Sequence, residues 1–388
     1  MLTFHCDSCR SPVYFENTHC TGCGHTLGLL PEYLRVSALQ PLGEGLWQPL
    51  MPAARGRRYR QCENYRAHHV CNWMVPAESS ERFCMSCRLN DTIPNLSRPG
   101  FAEHWFRLER SKRRLMYSLI KLGLPVRSKQ EDPTSGLAFS FKSQLDAAPG
   151  EHVTTGHANG CITINIDEAD PSKRERNRID LQERYRTLLG HFRHETGHYY
   201  WDTLIAGGAH LEPYRALFGD EREDYGDAMK RHYSEGAPDD WQSRFISAYA
   251  SMHPWEDWAE TWAHYLHIVD TLETAEHFGI SMEQNLPDGG FNRVAPDFDP
   301  YAIDDCEPLI EHWLPLTFAL NSLNRSMGLQ DLYPFVLSQP AIDKLAFVHR
   351  VVRAQQAYVD GYLGMRDMQR SGMSPLAGWR GWLRRLLS

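Results

Sequence analysis

No stretch of the chain approaches the roughly 18 consecutive apolar residues that a membrane-spanning helix needs. The longest uncharged apolar stretch, Trp313 to Asn324, is too short. The opening MLTFHCDSCR has no basic stretch followed by an apolar one, so no secretory signal is visible and a cytoplasmic protein is expected. The acid-rich loop from Pro296 to Pro308 lacks the DxDxDG order of a calcium loop and reads as solvated. The contact residues of a standard nucleic-acid reader motif are also missing. Cysteine is scarce over most of the chain: beyond residue 88 only Cys161 and Cys306 occur.

Hydrophobic residues make up 42% and charged residues 23% of the 388 positions, which excludes a chain disordered throughout. At about 100–200 residues per domain, this length suggests two or three folding units. The net charge of −8 is unevenly spread. Residues 1–130 hold 18 Lys+Arg against 10 Asp+Glu, leaving a net of −16 on the remainder. Such a split points to separate domains with different partners.

The front end carries eight cysteines. Cys6-x2-Cys9 and Cys20-x2-Cys23 are two knuckles ten residues apart, each able to aim two thiolates at one point and together to close a tetrahedral zinc site. Two disulfides are the alternative, but no signal peptide supports an oxidising compartment. Cys62, Cys71, Cys84 and Cys87 are less regular, with one ordinary knuckle at the rear; a second four-cysteine site is expected, in which His68 or His69 could replace a cysteine. Arg55, Arg57, Arg58, Arg60 and Arg66, interleaved with Tyr59 and Tyr65, could bind nucleic acid by phosphate contacts and stacking. They could equally form a solvated face or dock the acidic remainder of the chain.

From Ala102 to Gly123 the pattern is helical, with a charged block from Arg107 to Arg114, and Pro125 to Pro133 reads as a linker or turn. Alternation at Leu137-Phe139-Phe141 and Ile162-Ile164-Ile166 predicts a small sheet. A long helix is expected next, starting at a capping pair of Asp180 and Glu183 and continuing through Leu188 and Phe192. On it lies His194-Glu195-Thr196-Gly197-His198. Residues i and i+4 share a helix face, so both imidazoles can reach one metal ion, while Glu195 can take a proton from an activated water. An accidental HExxH is expected on the order of 0.05–0.1 times in such a chain, so context must support it.

That context is HPWEDWAETW, residues 253–262. Pro254 suits a first helical turn, and Glu256 and Glu260 fall on one face. A site with two histidines needs a third protein ligand and an open fourth position. One glutamate can ligate, while the other accepts a hydrogen bond from a ligand's far N–H. Tryptophans at 255, 258 and 262 mark the adjacent face as buried, which argues against a merely solvated acidic stripe.

HETGH followed by EDWAE resembles the gluzincin metallopeptidases, the group of thermolysin and anthrax lethal factor. The ribbon ahead of HETGHYYWD and HPWEDWAETWAHY resembles the bacterial zinc-binding metallopeptidases with an N-terminal zinc ribbon. The resemblance implies that His194, His198 and Glu256 are zinc ligands, Glu195 the general base and Glu260 the carboxylate behind a ligand. It also places an oxyanion-assisting tyrosine at Tyr249 and a further supporting carboxylate at Asp202. His253 could donate to a tetrahedral intermediate as easily as cap its helix. His191 could substitute as a ligand but reads better as a rim residue, and His264 and His267 as structural or surface positions. The terminal GWRGWLRRLLS reads as a helix docked on the protein's own core, with a membrane-surface helix as the alternative.

The expected fold is α+β: a zinc-ribbon domain over residues 1–95, then a zincin-like domain over 96–388 with a small sheet, two active-site helices and helical C-terminal cover. The expected function is zinc-dependent hydrolysis of peptide bonds in a peptide or protein substrate, with the ribbon recruiting a protein partner and taking no part in the chemistry. The alternative is a zinc ribbon that binds nucleic acid or protein beside a recruited or inactive HExxH domain. One catalytic and two structural zinc ions are expected, so elemental analysis of untagged protein should return three per chain. Two would remove the set from Cys62 to Cys87 as a site.

Overall fold

The computed structural model describes residues 2–180, 187–285 and 291–371. At the front, β1 (Phe4–His5) and β2 (Pro12–Val13) pair antiparallel around the first cysteine knuckle. Strands β3 (Thr26–Leu30), β4 (Arg35–Gly43), β5 (Leu46–Pro49), β6 (Tyr59–Gln61) and β7 (Met74–Pro76) then form an antiparallel meander in chain order. A parallel bridge from Leu29 to Trp73 returns the end of the meander to its beginning, so β3 gains a partner on each side. This accounts for the apolar Leu27-Gly28-Leu29-Leu30, buried throughout. The short helix α1 (Glu63–Arg66) follows Cys62, and Cys84 and Cys87 lead directly into β8 (Asn90–Thr92).

Strand β8 does not join the front sheet. It lies parallel to β9 (Ala138–Lys142) at the edge of a second sheet, followed by β11 (Cys161–Asn165) and then β10 (Gly156–Ala158). The long helix α2 (Phe101–Lys121) lies between β8 and β9 in sequence and touches both units. Trp105, Leu108 and Leu115 of the spaced apolar set are buried on it, with Leu119 beside them, whereas Ile120 is only partly buried. The centre of its charged block is buried as well. Glu109 accepts from Lys112 Nζ (3.0 Å), Asn90 Nδ2 (2.6 Å) and Trp105 Nε1 (3.2 Å). Lys112 also reaches the Asn90 side-chain oxygen and lies 5.5 Å over the rings of Phe139 and Phe141. Arg113 donates to the carbonyl of Val70, and Arg114 to Glu16. These charges are spent on joining the front unit to the second sheet, because backbone and carboxylate acceptors are available there.

The rest is mainly helical. α3 (Pro171–Asp180) precedes α4 (Leu188–Tyr200), which passes through a π-turn (Trp201–Ile205) into α5 (Leu211–Phe218) and α6 (Tyr225–Glu235). The 24-residue α7 (Pro254–His277) packs along α4 and is backed by α8 (Glu307–Ser326) and α9 (Gln339–Ser371). A short antiparallel pair, β12 (Met282–Asn285) and β13 (Phe291–Val294), lies between α7 and α8 in sequence. Buried Trp258, Trp262, Trp313 and Tyr200 fill the space around α7. Ion pairs fasten α7 on several sides: Asp270 to Arg193 (2.6 Å), Glu273 to Lys121 (2.6 Å) and Asp257 to Lys344 (2.6 Å). The architecture is α+β, a cysteine-rich ribbon followed by a helix-rich unit with its own sheet. Among the described residues no helix is long and apolar enough to cross a membrane.

The HExxH helix starts later than expected. Asp180 ends α3, and α4 begins at Leu188, where the Thr187 hydroxyl accepts the Gly190 N–H (3.0 Å). Glu183 and the terminal segment GWRGWLRRLLS lie outside the described residues.

Lys112 and Glu109 are fully buried, so removing one partner strands the other charge. Lys112→Met should cost about 3–5 kcal/mol in urea unfolding of the full chain, and replacing both residues with apolar ones should cost less. A double change that costs the sum of the two single changes would mean the pair is not coupled.

Candidate active site and metal centres

The site is built where α4 crosses α7. Gly197, the small residue inside HETGH, sits directly on Ala259: a methyl group at 197 would lie 2.8 Å from the Ala259 Cα. Trp258 Nε1 seals the crossing by donating to the Gly197 carbonyl (2.8 Å). With the backbones this close, His194 and His198 on one helix meet Glu256 and Glu260 on the other. Glu256 Oε2 is 3.0 Å from His194 Nε2, and Oε1 is 3.4 Å from His198 Nε2. One donor atom each from His194, His198 and Glu256 lies within 4.8 Å of the others. Tetrahedral zinc with bonds of about 2.0–2.1 Å separates its ligand atoms by about 3.3–3.4 Å, so the donor set fits.

The hydrogen bonds behind these atoms support the fit. His194 Nδ1 donates to Glu260 Oε1 (2.7 Å), and Glu260 Oε2 accepts from Ser247 Oγ (2.6 Å). With Nδ1 as the donor, the lone pair of a neutral His194 Nε2 faces a lone pair on Glu256 Oε2. That arrangement needs a cation between them, a proton or a metal ion. Glu256 Oε2 is buried without a hydrogen-bond partner of its own, while Oε1 accepts from the Tyr225 hydroxyl (2.8 Å). Burial would raise the Glu260 carboxyl, but the His194 bond and charge outweigh it and hold it at about 2. Burial likewise opposes ionisation of Glu256, yet the two imidazoles hold it well below the usual range. Glu195 lies beside the triad, also buried; burial raises its pKa against the pull of His194 and His198.

Other candidates fall into different places. Tyr249 borders the site, its ring 6.0 Å from that of His194. His253 has both ring nitrogens engaged: Nδ1 accepts the Trp255 N–H (3.1 Å), and Nε2 donates to the Glu223 carbonyl (3.1 Å). It caps α7 and has no proton to offer an intermediate. Asp202 is turned toward His157, with 3.9 Å between carboxylate and Nδ1, and leaves His198 Nδ1 without a hydrogen-bond partner. His191 faces Glu168 (3.5 Å) and stays out of the donor cluster. His264 and His267 are structural: His264 Nδ1 meets the Tyr333 hydroxyl (2.7 Å), and the His267 ring stacks on Tyr333. Sequence reasoning missed Tyr225 and Ser247, which lie outside the local helical register that points to Glu256 and Glu260.

The front-end cysteines gather into two clusters, Cys6, Cys9, Cys20, Cys23 and Cys62, Cys71, Cys84, Cys87, all free thiols. Sulfur separations of 3.6 Å (Cys6–Cys23), 3.5 Å (Cys9–Cys20) and 3.7 Å (Cys71–Cys84) approximate the edge of a zinc–sulfur tetrahedron, about 3.8 Å. His68 is exposed against Trp105 and His69 is exposed too; neither joins the second cluster, whose four thiols are buried. Tyr59 and Tyr65 are buried, and the Tyr65 hydroxyl donates to the Leu27 carbonyl (2.8 Å). They offer no stacking platform beside the arginines.

Residues 101–351 match the family described as "Putative zinc-binding metallo-peptidase", and residues 3–98 match a zinc-ribbon domain. Proteins of Mycobacterium tuberculosis (strains H37Rv and CDC 1551) and of Mycobacterium bovis, each named only as uncharacterized, are 42% identical over 353 residues. That alignment covers 91% of this chain and 95% of theirs. No solved structure matches the chain.

Gly197→Ala should force α4 and α7 apart, because the nearest atoms are Ala259 backbone and cannot rotate away. A loss of about 1–3 kcal/mol in unfolding free energy is expected, together with weaker metal retention by the His194–Glu256 set. An unchanged midpoint would show that the crossing has slack.

Proposed function

From the chain's membership of this zinc-binding metallopeptidase family, we propose that it hydrolyses peptide bonds at the crossing of α4 and α7. The observation that carries the reading is the convergence of His194, His198 and Glu256 with Glu195 beside them. In it His194, His198 and Glu256 hold a zinc ion, and the two cysteine clusters hold one each. Zinc held there would polarise the scissile carbonyl and lower the pKa of a water toward neutrality.

The chain's own groups do the rest. Glu195 accepts the proton of the attacking water and returns it to the leaving amine; a carboxyl raised by burial is better matched to both duties than an exposed one. Glu260, oriented by Ser247, holds His194 in the tautomer whose Nε2 lone pair faces the metal position. The Tyr249 hydroxyl, kept protonated by burial, donates to the developing oxyanion. His253 has no part in this step, since both of its nitrogens are committed to the cap.

Glu195→Gln keeps the side chain's size and removes the base. Zinc content and melting temperature should stay at wild-type values, while cleavage of a quenched peptide library falls at least ~10²–10⁴-fold. Loss of zinc would make Glu195 a ligand. Full activity with zinc retained would move the chemistry elsewhere and favour a ribbon protein with an idle HExxH site.

A further inference from the structure

The first residue of α6 touches the site from outside the α4–α7 crossing. α6 is poorly anchored by burial, with Ala228 its only buried residue. Its start is held by polar and aromatic contacts instead. The Asp224 side chain accepts the Asp227 N–H (2.8 Å), and the His253 ring ties down the preceding carbonyl of Glu223 (3.1 Å). The Tyr225 ring packs 5.3 Å from His253 and 6.2 Å from Trp255, centroid to centroid. Its hydroxyl, raised above the usual range by burial and by Glu256, remains a donor and bonds Glu256 Oε1.

This contact makes the two oxygens of Glu256 inequivalent. Oε1 carries the tyrosine and lies 3.4 Å from His198 Nε2, whereas Oε2 is buried without a hydrogen-bond partner and lies closer, 3.0 Å, to His194 Nε2. A carboxylate free to turn could give both oxygens to one ion and crowd out the open position that a reactive site needs. The geometry points to Tyr225 as a positioning residue that confines Glu256 to ligation through Oε2 alone, an inference that rests on the zinc-peptidase reading of the site. Tyr225 reaches the metal position only through Glu256. Because Tyr225 opens α6, its hydroxyl couples the helix to the ligand set.

The test uses the full chain and the metal alone. Tyr225→Phe keeps the ring contacts, so the melting temperature should hold. Competition with a chromophoric chelator should show one zinc per chain bound about 10–100-fold more weakly, the usual effect of losing a partner behind a ligand. With cobalt(II) at that site, the visible absorption should weaken, as expected when a released Oε1 raises the coordination number. Unchanged affinity and spectrum would overturn the assignment. So would weaker binding with an unchanged spectrum, which would leave the hydroxyl supporting Glu256 without deciding which oxygen ligates. His194→Ala is the separate control: it should remove that zinc outright. If it does not, the zinc-peptidase reading of the site fails, whatever Tyr225 does.

Discussion

The contact of Gly197 with Ala259 sets the distance on which the rest of the site depends. Two helices that meet at glycine and alanine approach closely enough for short side chains to share a point in space. Histidine and glutamate reach only a few ångströms beyond Cβ, so a wider crossing would leave the imidazoles and the Glu256 carboxylate on opposite walls of a gap. The surrounding aromatics hold this approach: Trp258 hydrogen-bonds across it, and Tyr200 stacks on Trp262 with centroids 4.8 Å apart. Ion pairs from α2, α4 and α9 then prevent α7 from sliding along its axis.

A second constraint is the burial of charge on α2. Glu109 and Lys112 are taken out of water only because Asn90 and Trp105 supply the remaining hydrogen bonds. Asn90 begins β8, three residues after Cys87, so the second cysteine cluster, a buried ion pair and an edge strand of the second sheet form one connected piece. The ribbon is thereby built into the sheet beside the active-site helices, not attached through a flexible tether. Its first cluster differs: Cys9 is exposed, whereas all four thiols of the second are buried. The more deeply buried cluster is the one that abuts α2.

Electrostatics at the crossing follow from the same compactness. Glu256 and Glu260 stay ionised inside the protein because each faces an imidazole at hydrogen-bonding distance. Glu195 has weaker partners and is pushed the other way. Carboxylates on the two crossing helices thus acquire opposite tendencies from their surroundings alone.

Much of this was legible in residue spacing. The i, i+4 relation puts His194 with His198 and Glu256 with Glu260 on common helix faces whatever the tertiary fold, and CxxC knuckles are equally local. The cap at His253–Pro254 and the apolar stripe of α2 are of the same kind. What spacing could not reveal depends on segments far apart in sequence. Tyr225 meets Glu256 across 31 residues, Ser247 meets Glu260 from a separate turn, and β8 pairs with β9 across the whole of α2. The burial of the charged block of α2 was not legible, because sequence does not show which acceptors will be brought to it. The sequence by itself determined which residues share a face, since helical periodicity is a property of the backbone. Only the tertiary structure decided which faces meet and which oxygen of Glu256 is left free, because those outcomes depend on how closely Gly197 lets two helices approach.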